Sequence, residues 1–171
     1  MRPPAAFPDS DGIQIREAES ADVDAIVAFG AAVVPAHYAP ILGTAAARAQ
    51  LAWWTRERIA PAVAAGRIHV ALADSKVVGV VETGELAGEH VIWKLYLAPE
   101  FRGRRLGVEL LRHAIAALPP EARHVMVEHF AGNTGAGAFY EREGFVLVKV
   151  EPASSGDPHA AIVWRRRRIR G

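Results

Sequence analysis

Residues 95–107, which read LYLAPEFRGRRLG, combine features that favour binding of a pyrophosphate. The pattern predicts a strand, a loop and then a helix, so that free backbone N–H groups and the positive end of the helix dipole meet at the loop. Three arginines and two glycines lie there: Arg102, Arg104, Arg105, Gly103 and Gly107. The arginines add positive charge, and the glycines let a ligand approach the main chain. The spacing fits neither a Walker loop nor a dinucleotide fingerprint, and a solvated basic helix start would have the same composition.

The elements that would position this loop follow from hydrophobic periodicity. Strands are predicted at residues 13–17, 67–73, 77–86, 90–97, 123–130, 145–150 and 160–168. Consecutive strands with short turns are antiparallel, and strands joined through helices are expected to be parallel. The predicted fold is α/β (α+β), with a mixed, mostly antiparallel central sheet and helices on both faces.

Four helices are predicted from apolar residues at helical spacing. Their expected starts are Ser20, Thr44, Leu106 and Asn133. Pro35 and Pro40 are expected to stop the first helix and leave a loop at residues 36–43. Pro61 is expected to divide the second helix. Asn133 is a good N-cap for the fourth, a role that Asn fills in many proteins.

Composition bounds the class of protein. The chain has 171 residues, a formal net charge of +1 and no cysteine, which excludes disulfides and thiolate metal sites. The histidine spacing matches no metal motif, so no metal is expected. We expect residues 1–11 to form a disordered tail and residues 12–171 a single domain. With no signal peptide, and with apolar runs too short and broken to span a bilayer, the chain is expected to be cytoplasmic.

Two segments together resemble the GNAT (GCN5-related) N-acetyltransferases. The loop is similar to the family's motif A, Q/R-x-x-G-x-G/A, with Arg102 first, Gly107 last and Arg105 where the middle glycine usually stands. Residues 127–145, VEHFAGNTGAGAFYEREGF, resemble motif B, in which an Asn is followed by Ala, Phe, Tyr and then Gly-Phe. The resemblance, with the order of elements, covers about residues 13–168.

This resemblance implies a GNAT fold that binds acetyl-CoA as co-substrate. The sheet would splay between residues 90–97 and 123–130 to admit the pantetheine arm, and the pyrophosphate would sit on residues 102–108. The implied cofactor-binding residues are Leu95, Tyr96, Leu97, Arg102, Gly103, Arg104, Arg105, Leu106, Gly107, Val108 and Asn133.

The implied reaction is attack by a primary amine on the acetyl thioester. Tyr140 would be the general acid that protonates the leaving thiolate, and a backbone N–H near Leu97 would support the oxyanion. Glu128 is the first choice as base, because bacterial ribosomal-protein N-terminal acetyltransferases show a glutamate at the same spacing. Glu82 is the second choice, and either could be a solvated carboxylate on a strand.

The acceptor would be a small molecule or a peptide N-terminus. His37, Tyr38, Trp53 and Trp54 could line its pocket, but core packing is the better explanation for at least one tryptophan, because adjacent helix residues point about 100° apart. The tail at residues 165–170 could bind RNA, but we prefer an edge strand protected by charge and do not expect nucleic acid as a partner. A non-catalytic acyl-CoA sensor is the alternative function, and the oligomeric state, a homodimer included, stays open.

Overall fold

Seven strands form one mixed sheet in the structure, a computed structural model that describes residues 12–171. The strands are β1 (Ile13–Glu17), β2 (Ile68–Ala73), β3 (Lys76–Leu86), β4 (Glu89–Leu97), β5 (His124–Phe130), β6 (Val146–Glu151) and β7 (Ile162–Arg168). Their order across the sheet is β1-β2-β3-β4-β5-β7-β6. Only the β4–β5 pair is parallel within the described part of the chain. The expected mixed, mostly antiparallel sheet is therefore confirmed. The predicted tail at residues 1–11 lies outside the described residues.

The sheet opens between β4 and β5. Only two residues of β4 pair in register with β5, Val91 with Met126 and Ile92 with Val127. Next to Ile92 the register between β3 and β4 shifts by one residue: Glu82 pairs with Lys94, but the next residue of β3, Thr83, pairs with Ile92. Such a bulge bends a strand and increases its twist. The predicted splay is present, and it begins where β4 bends away.

Within residues 12–171, five α-helices cover the sheet: α1 (Val23–Leu42), α2 (Thr44–Ala49), α3 (Arg56–Ala64), α4 (Leu106–Ala116) and α5 (Thr134–Arg142). The predicted apolar stripe of α4 forms its buried face, with Leu110, Leu111 and Ala114 almost fully inaccessible. Leu110 reaches β3 at Gly79, where an added Cβ would lie 2.8 Å from the leucine side chain. The helix that follows residues 102–105 is therefore fixed to the sheet by close packing.

The first helix is longer than the sequence predicts. Both Pro35 and Pro40 lie inside α1, so the expected loop at residues 36–43 is wrong. A proline inside a helix removes one hydrogen bond, but Val34 and Tyr38 on either side of Pro35 are buried, and their packing offsets that loss.

This continuous helix also corrects the expectation about apolar runs. The segment Ser20–Leu42 is long and apolar enough to cross a membrane by length and composition alone. That evidence is weak, because the core helix of a folded domain passes the same test. Here Ile26, Phe29 and Val33 are buried in the hydrophobic core of the described chain.

Two other expectations about the elements are wrong. The second predicted helix breaks after a short 3-10 turn at Gln50–Trp53, not at Pro61, which lies inside α3. The side chain of Trp54 at the break is buried against α1, which fixes the chain there. β1 and β2, although joined through helices, pair antiparallel: α1, α2 and α3 lie between them, and the parallel rule applies to a direct strand–helix–strand crossover.

The arginine-rich last strand is also misplaced by the sequence prediction. β7 lies between β5 and β6, and the strand at that edge of the sheet is β6. Arg165 and Arg170 are engaged in the fold: Arg165 pairs with Glu141, and Arg170 donates to the carbonyls of Pro119 and Ala122 beyond α4. The tail is therefore not an edge protected by charge, and part of its charge is used to hold helices to the sheet.

Candidate active site

The loop between β4 and α4 has the geometry that an anion requires. Gly103 and Arg105 both adopt left-handed backbone conformations, with φ of 75° and 63°. A non-glycine residue in this region costs about 1–2 kcal/mol, which explains why glycine is usual at the position of Arg105. Arg105 is the N-cap of α4, and no side chain caps the helix there. The first N–H groups of α4 are thus free to bind a ligand.

A cleft of about 650 Å³, here called the main cleft, extends from this loop into the splay. Most of the predicted cofactor-binding residues line it: Leu95, Tyr96, Leu97, Arg102, Gly103, Arg105, Gly107, Val108 and Asn133. Arg104 and Leu106 do not. The guanidinium of Arg104 lies over the ring of Phe101, and Leu106 is buried in the core. Leu106 could contact a ligand only through its main chain, whereas the guanidinium of Arg104 is exposed.

The wall of the main cleft offers unpaired backbone groups. Beyond Ile92 no residue of β4 pairs with β5 in register, so the edge of residues 93–97 that faces β5 has no strand partner. Arg102 makes one contact there, donating to the carbonyl of Leu97 over 3.4 Å. Backbone groups at an open edge can bind an extended, amide-containing ligand as a further strand would.

Tyr140 lies on α5 and faces the main cleft. Burial raises the pKa of its phenol well above the usual value, and Tyr38 contributes in the same direction. The phenol therefore keeps its proton at neutral pH, as a proton donor must. Phe139 and Phe145 pack edge-on against its ring at centroid distances of 5.3 and 5.4 Å.

Tyr140 also contacts His129, a residue that the sequence analysis did not single out. His129 on β5 stacks on its ring at 6.1 Å, with 24° between the planes. Arg165 on β7 donates through Nε to His129 Nε2 over 3.0 Å and through its Nη2 to Glu141 on α5. His129 Nδ1 is then the protonated nitrogen, donating to the carbonyl of Phe130 over 2.9 Å. The alternation Val125, Val127, His129 was the available signal, since it places the histidine on the buried face.

Glu128 lines the main cleft from β5, one residue before His129 and on the opposite face of the strand. Burial raises the pKa of its carboxyl group, and the charge of Glu151 raises it further. No salt bridge among the described residues involves Glu128. An unpaired carboxylate whose pKa is raised is a better proton acceptor than an ordinary surface glutamate.

Glu82, the other candidate base, is engaged elsewhere. It forms a buried ion pair with Lys94, whose ammonium also lies 5.4 Å from the centre of the Trp54 ring. The Lys94 ammonium occupies the carboxylate of Glu82, whereas no ion pair among the described residues occupies that of Glu128, so the geometry favours Glu128.

A second cavity of about 470 Å³ lies against the main cleft. The two share Tyr38, Trp93, Lys94, Tyr96, Glu128 and His129. Of the four residues expected around an acceptor, Tyr38, Trp53 and Trp54 line this second cavity, whereas His37 lines the main cleft. Trp54 is 3% exposed and Trp53 is 53% exposed, so Trp54 packs in the core, as expected for at least one of the two tryptophans.

Asn133 caps α5 and also lies at the main cleft. Its side-chain oxygen accepts from the N–H of Ala136 over 3.3 Å, which makes it the N-cap of α5, and the residue also lines the main cleft. Among the described residues, no group of three or more histidine, aspartate or glutamate side chains could hold a metal ion.

Comparison with known protein families shows which family the domain around the main cleft belongs to. Residues 64–147 match the family model described as "Acetyltransferase (GNAT) domain". The chain carries a GNAT domain. The matched region includes the loop of the main cleft, Glu128, Asn133 and Tyr140. None of the curated proteins matches the chain by sequence.

Solved structures share the GNAT fold at low sequence identity. The PaiA N-acetyltransferase from Thermoplasma acidophilum, solved with coenzyme A, superimposes with a TM-score of 0.77 at 19% identity, covering 92% of this chain and 99% of that one. Ard1 from Thermoplasma volcanium gives 0.71 at 18% identity, covering 93% and 99%. A putative streptothricin acetyltransferase from Bacillus anthracis, solved with acetyl coenzyme A, gives 0.55 at 19% identity, covering 60% and 62%.

Proposed function

We propose that the chain transfers the acetyl group of acetyl-CoA to a primary amine of a small molecule or a peptide N-terminus. The observation that carries the proposal is the main cleft itself. It joins an anion-binding helix start, an unpaired strand edge and the phenol of Tyr140 in one continuous space, within a domain of an acetyltransferase family. Acetyl-CoA would supply the activated acyl thioester.

Binding would use the main chain as well as side chains. The N–H groups at the start of α4, with Arg102 and Arg105, would bind the pyrophosphate, and Asn133 would add an amide contact. The open edge of β4 at residues 95–97 would bind the pantetheine amides. All three arginines of the loop are exposed, and none forms an ion pair with another described residue, so their charge is available for a ligand.

Catalysis would need two proton transfers. Glu128 would accept the proton that the amine loses as the new C–N bond forms. The backbone N–H near Leu97 would bind the oxygen on which negative charge develops. As the C–S bond breaks, Tyr140 would donate its proton to the departing sulfur, and the buried, neutral phenol fits this role.

The test is release of the CoA thiol from acetyl-CoA in the presence of a panel of amines, comparing the native chain with Tyr140→Phe. We expect kcat to fall about 100-fold or more, the usual contribution of a positioned general acid. The affinity for acetyl-CoA and the unfolding midpoint should change little, because the ring and its packing are kept. Tight binding of acetyl-CoA with no turnover of any amine would favour the acyl-CoA sensor instead.

A further inference from the structure

The second cavity has an uneven distribution of charge. Five charged residues line it: Arg58, Arg67, Lys94, Glu82 and Glu128. Lys94 and Glu82 neutralise each other in their buried ion pair. The remaining carboxylate is Glu128, which the second cavity shares with the main cleft. Arg58 and Arg67 line the second cavity but not the main cleft, so the negative charge lies at the junction and the positive charge lies away from it.

Neither arginine has a carboxylate partner among residues 12–171. Arg58 lies over the ring of Trp53, 5.0 Å from its centre, and is exposed. Arg67 directly precedes β2, and its Nη1 would lie 3.4 Å from a Cβ added at Gly84; the indole nitrogen of Trp93 would lie 2.5 Å from the same Cβ. The guanidinium of Arg58 therefore lies against a tryptophan ring, and that of Arg67 lies beside Gly84 as Trp93 does, with the donors of both available to a ligand.

We infer that the second cavity accepts a molecule with an amine at one end and an anionic group, preferably a carboxylate, at the other. An apolar or aromatic body would join the two groups. The amine would lie at Glu128 beside the main cleft, the body between the tryptophans, and the carboxylate at Arg58 and Arg67. Guanidinium groups bind carboxylates with paired donors, which fixes the orientation as well as adding affinity. This inference rests on the proposed acetyl transfer and specifies its acceptor.

The same charges disfavour polycationic acceptors. A polyamine or an aminoglycoside would bring further ammonium groups against two unpaired arginines, and like charges in a partly enclosed cavity repel. The inference therefore separates a small amino carboxylate from a polycation on the basis of the cavity's own residues.

The experiment compares two pairs of probes, each an amino carboxylate and its neutral amide; the second pair holds the amine far from the group that changes. These are phenylalanine with phenylalaninamide, and 4-(aminomethyl)benzoate with 4-(aminomethyl)benzamide. Binding to the full chain loaded with CoA is measured by calorimetry. Each is repeated with Arg67→Gln, Arg58→Gln and the control Arg48→Gln, an exposed arginine of α2 that lines neither cavity.

We expect the carboxylate member of at least one pair to bind about tenfold more tightly than its amide. Arg67→Gln or Arg58→Gln should remove that preference, whereas Arg48→Gln should keep it. Equal or tighter binding of the amides in both pairs, or no binding of any probe, would overturn the inference. CoA binding is measured in the same experiment, and release of the CoA thiol from acetyl-CoA is measured in parallel. Absence of either one marks failure of the proposed function and is distinguished from failure of the carboxylate preference.

Discussion

The phenolic oxygens of Tyr38 and Tyr96 lie 2.8 Å apart, and this hydrogen bond joins α1 to β4 where the main cleft and the second cavity meet. Burial raises the pKa of both phenols, so the pair stays neutral at physiological pH. Trp54 packs edge-on against Tyr96 at 5.4 Å. The contact therefore connects the helical layer over the second cavity to the strand that forms the wall of the main cleft.

We expect Tyr38→Phe and Tyr96→Phe each to lower the free energy of unfolding by about 1–2 kcal/mol, because each leaves a buried hydroxyl without its partner. The double variant should lose less stability than the two single variants added together, because neither hydroxyl is then left without a partner. Urea denaturation of the four proteins measures this cycle. Strictly additive costs would show that the two hydroxyls do not depend on each other.

The pH dependence of kcat/KM tests Glu128 as base. Glu128 can accept a proton only when it is ionised, so activity should rise with pH through its pKa. Burial and the charge of Glu151 raise that pKa, so the acidic limb should lie above the usual glutamate range. Glu128→Gln should abolish the limb and lower kcat/KM by about 100-fold.

Two companion variants sharpen this prediction. Glu151→Gln at the surface should move the limb to lower pH, because it removes the charge that opposes ionisation of Glu128. Glu82→Gln should keep the limb while destabilising the fold, because Lys94 loses its buried partner. A limb that survives Glu128→Gln but vanishes in Glu82→Gln would assign the base to Glu82.

Gly30 tests the packing that holds α1 over the site. A Cβ at this position would lie 2.3 Å from the Trp54 ring. Gly30→Ala should therefore destabilise the fold by about 1–3 kcal/mol, although alanine is the better helix former. Gly135→Ala is the matched control, because no atom lies within 4 Å of its added Cβ. It should stabilise α5 by about 0.5–1 kcal/mol. Equal changes in the unfolding midpoint would contradict this account of the Gly30–Trp54 contact.

The features that depend on the local pattern of residues were predicted best from the sequence. The strand, loop and helix around residues 95–107 follow from periodicity and helix-start chemistry, and the structure places most of the residues predicted there around one cleft. The course of α1 through Pro35 did not follow from the sequence, because burial of Val34 and Tyr38 outweighs the local preference. The interior position of β7 depends on strand order, which no short pattern encodes. For the same reason the contact between Arg165 and His129, and through it the position of Tyr140, could not be seen in the sequence.

Gly107 permits the most direct test of the main cleft. An added Cβ would meet Phe139 and Leu97 at 3.5 and 3.6 Å, which are ordinary contacts, so Gly107→Ala should fold normally. A glutamate at the same position would place a longer, negatively charged side chain at the start of α4, where an anionic ligand is expected to bind. Circular dichroism of both variants confirms that each is folded before binding is compared.

The decisive measurement is a calorimetric titration of acetyl-CoA into the native chain, Gly107→Ala and Gly107→Glu. The account predicts binding by the native chain, affinity within about tenfold for the alanine variant, and loss of binding by the folded glutamate variant. No binding by the folded native chain, or equal binding by Gly107→Glu, would contradict the assignment of the main cleft to acetyl-CoA.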